Sequence, residues 1–123
     1  MIENVKEKTE QLLPIYQQAL NLNYWTIDWQ LEELSVGEAK CEVNAVYYRI
    51  KLSIDPNRIR SHKHLRETII HELVHAVLGS YENTANSLLE HLSPESANLM
   101  SEVLEKELEK TVVHLEQVIL KLV

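Results

Sequence analysis

The chain has 123 residues, of which 45% are apolar and 25% charged, and its formal net charge is −7. That length closes one core with no second lobe, the balance excludes a disordered tail, and the acidity argues against nucleic acid as a partner. No run approaches the roughly 20 consecutive apolar residues of a membrane span, and the opening MIENVKEKTE lacks the apolar block of a secretory signal. The single cysteine, Cys41, excludes an internal disulfide and suits a reducing compartment. One soluble domain over residues 1–123 is expected, cytoplasmic and without a membrane partner.

Along the chain, Ile2, Val5, Leu12, Leu13, Tyr16 and Leu20 recur at helical spacing, and Pro14 inside the run predicts a kink or break, hence one or two short helices. The period then falls to two. Trp25, Ile27 and Trp29 alternate with Thr26 and Asp28, and Ala39, Cys41 and Val43 alternate with Lys40 and Glu42. After a tight turn at Asn44 and Ala45, alternation resumes from Val46 to Ile54. Three strands with short connections predict an antiparallel meander with one buried face, and place both indoles and Cys41 in the core.

Asp55 and Pro56 end the sheet. Leu65, Ile69, Ile70, Leu73, Val74, Val77 and Leu78 then form a stripe of period 3.6, with Gly79 at the position where a left-handed residue stops a helix. A short helical turn is expected around residues 84–91. Ser93, Pro94 and Glu95 supply an N-cap, a first-turn proline and a first-turn acid, so a long helix should run from there almost to Val123. Of the 19 acidic residues only Asp28 and Asp55 are aspartates, which also favours helix. The fold class is α+β: an N-terminal helix, a three-stranded antiparallel sheet, a helix carrying the motif described next, and a long C-terminal helix, packed against one sheet face.

The motif is HELVH, residues 71–75. Residues four apart lie one above the other on a helix, so His71 and His75 can both reach one cation at about 2.0–2.1 Å. Glu72 falls on the rim of the same face, placed to take a proton from a metal-bound water. Zinc in hydrolytic sites takes three protein ligands and keeps a fourth position for water. The extended pattern HExxHxxGxxH needs glycine at 78 and histidine at 81, where this chain has Leu78 and Tyr81, so that arrangement is excluded. A carboxylate from another helix remains. Glu102, Glu105, Glu109 and Glu116 share one side of the last helix, beside Leu104, Leu108, Val112, Leu115 and Ile119, and spacing alone does not choose among them.

With AVYYRIKLSI ahead of the motif helix, ETIIHELVHAVLG around it and ELEKTVVHLEQVI late in the chain, the sequence resembles the zincin-like metallopeptidases of the gluzincin type. Within them it is similar to the small single-domain peptidases of bacteria and their phages. The likeness spans residues 24–120, and HELVH is its specific motif. It implies a zinc-dependent hydrolase of peptide bonds whose third ligand is a glutamate on a later helix, closely followed by two aliphatic residues. Glu109, ahead of Val112 and Val113, matches that pattern, with Glu105 and Glu82 as substitutes. The resemblance thus implies zinc on His71, His75 and Glu109, Glu72 as general base, and a peptide or protein substrate added along a sheet edge. An oxyanion donor is also needed, and Tyr81, His114, Tyr47 and Tyr48 are candidates by residue type.

Two other readings stand beside this one: a non-catalytic zinc-binding protein-interaction module, and a metal-free helical oligomerisation protein. Residues 49–66 hold six of the twelve basic side chains against the single acid Asp55. They are expected to form a solvated segment balancing the acidic last helix rather than a contact for an acidic partner. His62 and His64 are expected to be exposed, and His91 has no partner at ligand spacing.

Overall fold

A computed structural model describes residues 3–122, so the apolar position Ile2 lies outside the described residues. The first helix, α1, spans Val5–Ala19 as one element where the sequence predicts a kink or a break. Pro14 removes a single backbone hydrogen bond on an exposed face, and Val5, Leu13 and Tyr16 hold both sides of it to the core.

Strands β1 (Thr26–Leu31), β2 (Ala39–Asn44) and β3 (Arg49–Ile54) form one sheet in the order β1-β3-β2. β2 runs antiparallel to β3, with Ala39 opposite Ile54, but β1 runs parallel to it, with Thr26 opposite Arg49. The sheet is therefore mixed, which corrects the antiparallel meander. The cause is the connection 32–38, too long for a tight hairpin. It carries the chain to the far edge and leaves the middle position for β3. Leu34 pins it, donating its N–H to Asp55 Oδ2 at 3.0 Å and accepting at its carbonyl from Arg58 Nη2 at 2.8 Å. Asp55, only 2% exposed, also accepts from Asn57 N at 3.0 Å and so caps the short 3-10 turn Pro56–Arg58. β3 begins at Arg49, later than the alternation from Val46 suggests. Residues 45–48 are spent on the turn, where Asn44 Oδ1 accepts from Tyr47 N and Tyr48 takes a left-handed φ of 52°.

Helix α2 (His62–Val77) starts at Ser61, whose Oγ accepts from His64 N at 3.0 Å. Its stripe Leu65, Ile69, Ile70, Leu73 and Val74 is at most 1% exposed and shares one core with Ile50, Leu52 and Ile54 of β3 and Leu13 and Tyr16 of α1. Each such side chain contributes about 1.5–3 kcal/mol on burial. Trp25 is buried in the same core, while Trp29 and Cys41 pack against it half-covered.

Helix α3 (Gly79–Leu89) is longer than the turn expected at 84–91, and Gly79 does not stop α2 in a left-handed conformation. Its role is steric. A Cβ there would lie 2.8 Å from Val43 Cγ1, so the α2–α3 junction can sit against β2 only without a side chain. Helix α4 (Pro94–Leu122) starts as predicted, with Ser93 Oγ accepting from Ser96 N at 3.3 Å. Of its 29 residues only Val112 and Glu116 are buried. No helix among the described residues is long and apolar enough to cross a membrane.

Candidate metal centre

His71 and His75 leave α2 beside its buried stripe and face α4. Their Nε2 atoms converge on one carboxylate: His75 Nε2 lies 2.9 Å from Glu109 Oε1, and His71 Nε2 lies 3.5 Å from Glu109 Oε2. One ligand atom from each residue falls within 4.8 Å of the others, and among the described residues this is the group that could hold a metal ion. Two atoms at about 2.0–2.1 Å from a tetrahedral ion lie roughly 3.3 Å apart. The two separations, which run to different oxygens of Glu109, lie on either side of that value, and all three ligand atoms fall within 4.8 Å of one another.

His71 is oriented from behind. Its Nδ1 lies 3.1 Å from Glu116 Oε2, and Glu116 is 8% exposed. A carboxylate so far from water needs a donor, and the Nδ1–H supplies it. A proton held on Nδ1 by Glu116 leaves Nε2 free to offer its lone pair when a metal binds, which is the tautomer a metal ligand requires. The sequence offers Glu116 only as one of four candidate ligands. Its second role follows from spacing: Glu109, Val112 and Glu116 lie on one side of α4, so burying Val112 against α2 brings a carboxylate to each side of His71.

Glu72 stands on the opposite flank, towards β2. With Cys41, Val43, His75 and Gly79 it lines a polar cavity of about 330 Å³. On its other side, Glu38, Arg60, His64, His71 and Glu116 line a second cavity, of about 310 Å³. The two form a cleft beside the edge strand β2, with Glu72 at their boundary. Burial pushes the Glu72 carboxyl above the ordinary carboxylate range, while His75 and His71 pull it down and Glu109 and Glu38 oppose them. Burial, reinforced by Glu72, Glu82 and Glu42, pushes the Cys41 thiol up to about 12. Cys41 is therefore a neutral thiol at physiological pH, and it lies outside the group that could hold a metal ion.

The two substitutes for Glu109 lie outside the ligand group: Glu105 lines a groove between α3 and α4, and Glu82 borders both that groove and the polar cavity. Of the oxyanion candidates, Tyr48 packs edge-on against Tyr24 and Trp25, Tyr47 is 71% exposed in the hairpin turn, Tyr81 lines the groove, and His114 is exposed on α4. None of the four lines the cleft at Glu72. His64 is 12% exposed, which corrects the expectation of an exposed side chain. Its Nδ1 accepts from Arg60 N at 3.0 Å and its Nε2 lies 3.4 Å from Glu38, because the first turn of α2 folds it back over the preceding loop. His62 and His91 are exposed. The basic segment is partly used within the protein: Arg58 pairs with Asp55, Lys63 with Glu67, and Arg66 donates to Tyr16.

No protein-family model matches the chain, and no curated protein or solved structure matches it either.

Proposed function

We propose that this chain is a minimal zincin-like metallopeptidase of the gluzincin type, holding zinc through His71, His75 and Glu109 and hydrolysing peptide bonds. The observation that carries the reading is the convergence of two imidazole Nε2 atoms from α2 on one carboxylate from α4, at 2.9 and 3.5 Å. Two neutral nitrogens and one carboxylate suit zinc better than the all-oxygen cations. When bound there, zinc supplies Lewis-acid activation of a water and of the scissile carbonyl.

The remaining work falls to side chains of the protein. Glu72, one residue from His71 and facing the cleft, accepts a proton from a water in the cleft and returns it to the leaving amine; its partly buried setting raises its basicity for that task. Glu116 holds the His71 ring in one tautomer and one orientation. β2 is an edge strand, so its unpaired backbone groups offer an extended peptide a row of hydrogen bonds along the cleft. The lone neutral thiol, Cys41, accords with a cytoplasmic setting.

Glu72→Gln tests the catalytic part. The variant should bind zinc as the parent does and lose cleavage of an unfolded protein substrate. Cleavage at the parental rate removes Glu72 from the mechanism, and zinc binding by a parent with no cleavage at all leaves the non-catalytic zinc module.

A further inference from the structure

Between α3 and the N-terminal half of α4 an apolar groove is left open. Leu78, Tyr81 and Ala85 form one wall and Leu104 and Leu108 the other, around a cavity of about 300 Å³. Leu88 continues the first stripe and Met100 the second, at helical spacing, and these two are 64% and 45% exposed. From Leu78 to Leu88 the apolar wall runs for about 15 Å, or roughly three helical turns. The cavity is separate from the polar one that holds Glu72: only Glu82 and Asn86 of α3 border both, and no residue of α4 lines the polar one. A peptide lying along β2 therefore leaves the groove empty.

The walls restrict what can lie there. Both are helical, with their main-chain groups bonded along the helix, so an extended segment would set its own backbone against an apolar floor that offers no partners. A helix arrives with its backbone already satisfied, and the valley between two helices takes a third lengthwise. The cavity then holds the apolar anchors of that helix, not the helix itself. Charge restricts the occupant further. Glu82 on the α3 side and Glu105 on the α4 side line the groove, and neither has an ion-pair partner among the described residues. Glu107 also lines it and is shared with Lys110, 3.1 Å away, while Lys106 and Lys110 border a different depression on α4. No basic residue lines the groove. The complementary surface is an apolar stripe with a base on either side, whose long alkyl stems cover the walls while their charges reach the carboxylates. A second copy presenting the same hairpin would instead set Glu82 and Glu105 against their own counterparts.

We propose that the α3–α4 groove docks a basic amphipathic helix of a second protein, its apolar stripe in the groove and Lys or Arg along both edges, with the cleft at Glu72 left free. Fluorescence anisotropy with three labelled peptides of roughly 15 residues, long enough to form a helix, tests it. One has leucines on a single helical face and lysines elsewhere, one has glutamate for every lysine, and one scrambles the first so that no apolar face forms. The first should bind about tenfold or more tighter than either of the others, with an affinity that falls as salt rises. Ala85→Trp, which fills the groove, should abolish that preference. Glu82→Lys combined with Glu105→Lys should weaken binding about tenfold or more and remove its salt dependence. Glu7→Lys combined with Glu10→Lys, on exposed positions of α1, should leave binding unchanged and so separates the groove from the overall acidity of the chain. Equal binding of the three peptides, binding that survives both groove variants, an equal loss in the α1 variant, or no binding at all overturns the proposal. So does a parental dimer in sedimentation that Ala85→Trp dissociates, which would make a second copy the occupant. Neither zinc nor turnover enters these measurements, so their failure and that of the metallopeptidase reading are distinct.

Discussion

The two halves of α4 both carry apolar residues at helical spacing but differ in what they touch. In the C-terminal half Val112 is fully buried, Glu116 is 8% exposed, and Leu108, Leu115 and Ile119 close on the core. In the N-terminal half Leu99, Met100 and Val103 are 67%, 45% and 54% exposed, and the side facing α3 is only half-covered. One half is fastened to α2, and it brings two carboxylates to defined atoms of two imidazoles. The other stands off and leaves a groove. Fixed geometry is what a metal centre needs, and only the fastened half supplies it.

Substitutions at three positions probe that contrast. Val112→Asp should have the largest effect, because it places an unpaired charge at a position with no solvent access. A loss of about 3 kcal/mol or more in urea unfolding is expected. Zinc binding should go with it, since Glu109 and Glu116 reach their partners only while this half is docked. Glu116→Ala comes next. It should weaken zinc binding by about 10- to 100-fold. Glu116→Gln sharpens the point by splitting two readouts: removing a buried charge should leave metal-free stability unchanged or raised, while zinc affinity falls. Unchanged affinity in both Glu116 variants would mean that His71 needs no orienting partner. Val103→Ser should do least, shifting stability within about 0.5 kcal/mol. A larger loss would show that the N-terminal half is docked as firmly as the other.

Much of this arrangement is legible in the sequence, for reasons that vary by element. HELVH places both histidines and Glu72 because i and i+4 coincide on any helix, and Ser93–Pro94 marks the start of α4 because capping is local chemistry. Glu109 is not singled out by spacing, since four glutamates share its side of the helix; the resemblance to gluzincins selects it, and burial of Val112 sets its position. The parallel pairing of β1 with β3 is hidden because period-two alternation reports which face is buried, not which strand lies alongside. The one available cue is the length of the 32–38 connection, with Leu34 as an apolar residue for the core. Gly79 misleads because a glycine after a helical stripe signals a left-handed stop equally well whether the chain needs the conformation or only the space beside Val43.

The most direct test of the central claim is zinc stoichiometry measured by elemental analysis and titration calorimetry on the parent protein and on Glu109→Ala, with Glu105→Ala and Glu82→Ala as controls. One tightly bound zinc per chain, lost in Glu109→Ala and kept in both controls, is the predicted result. A zinc-free parent after supplementation, or a Glu109→Ala protein that binds zinc as tightly as the parent, would contradict it.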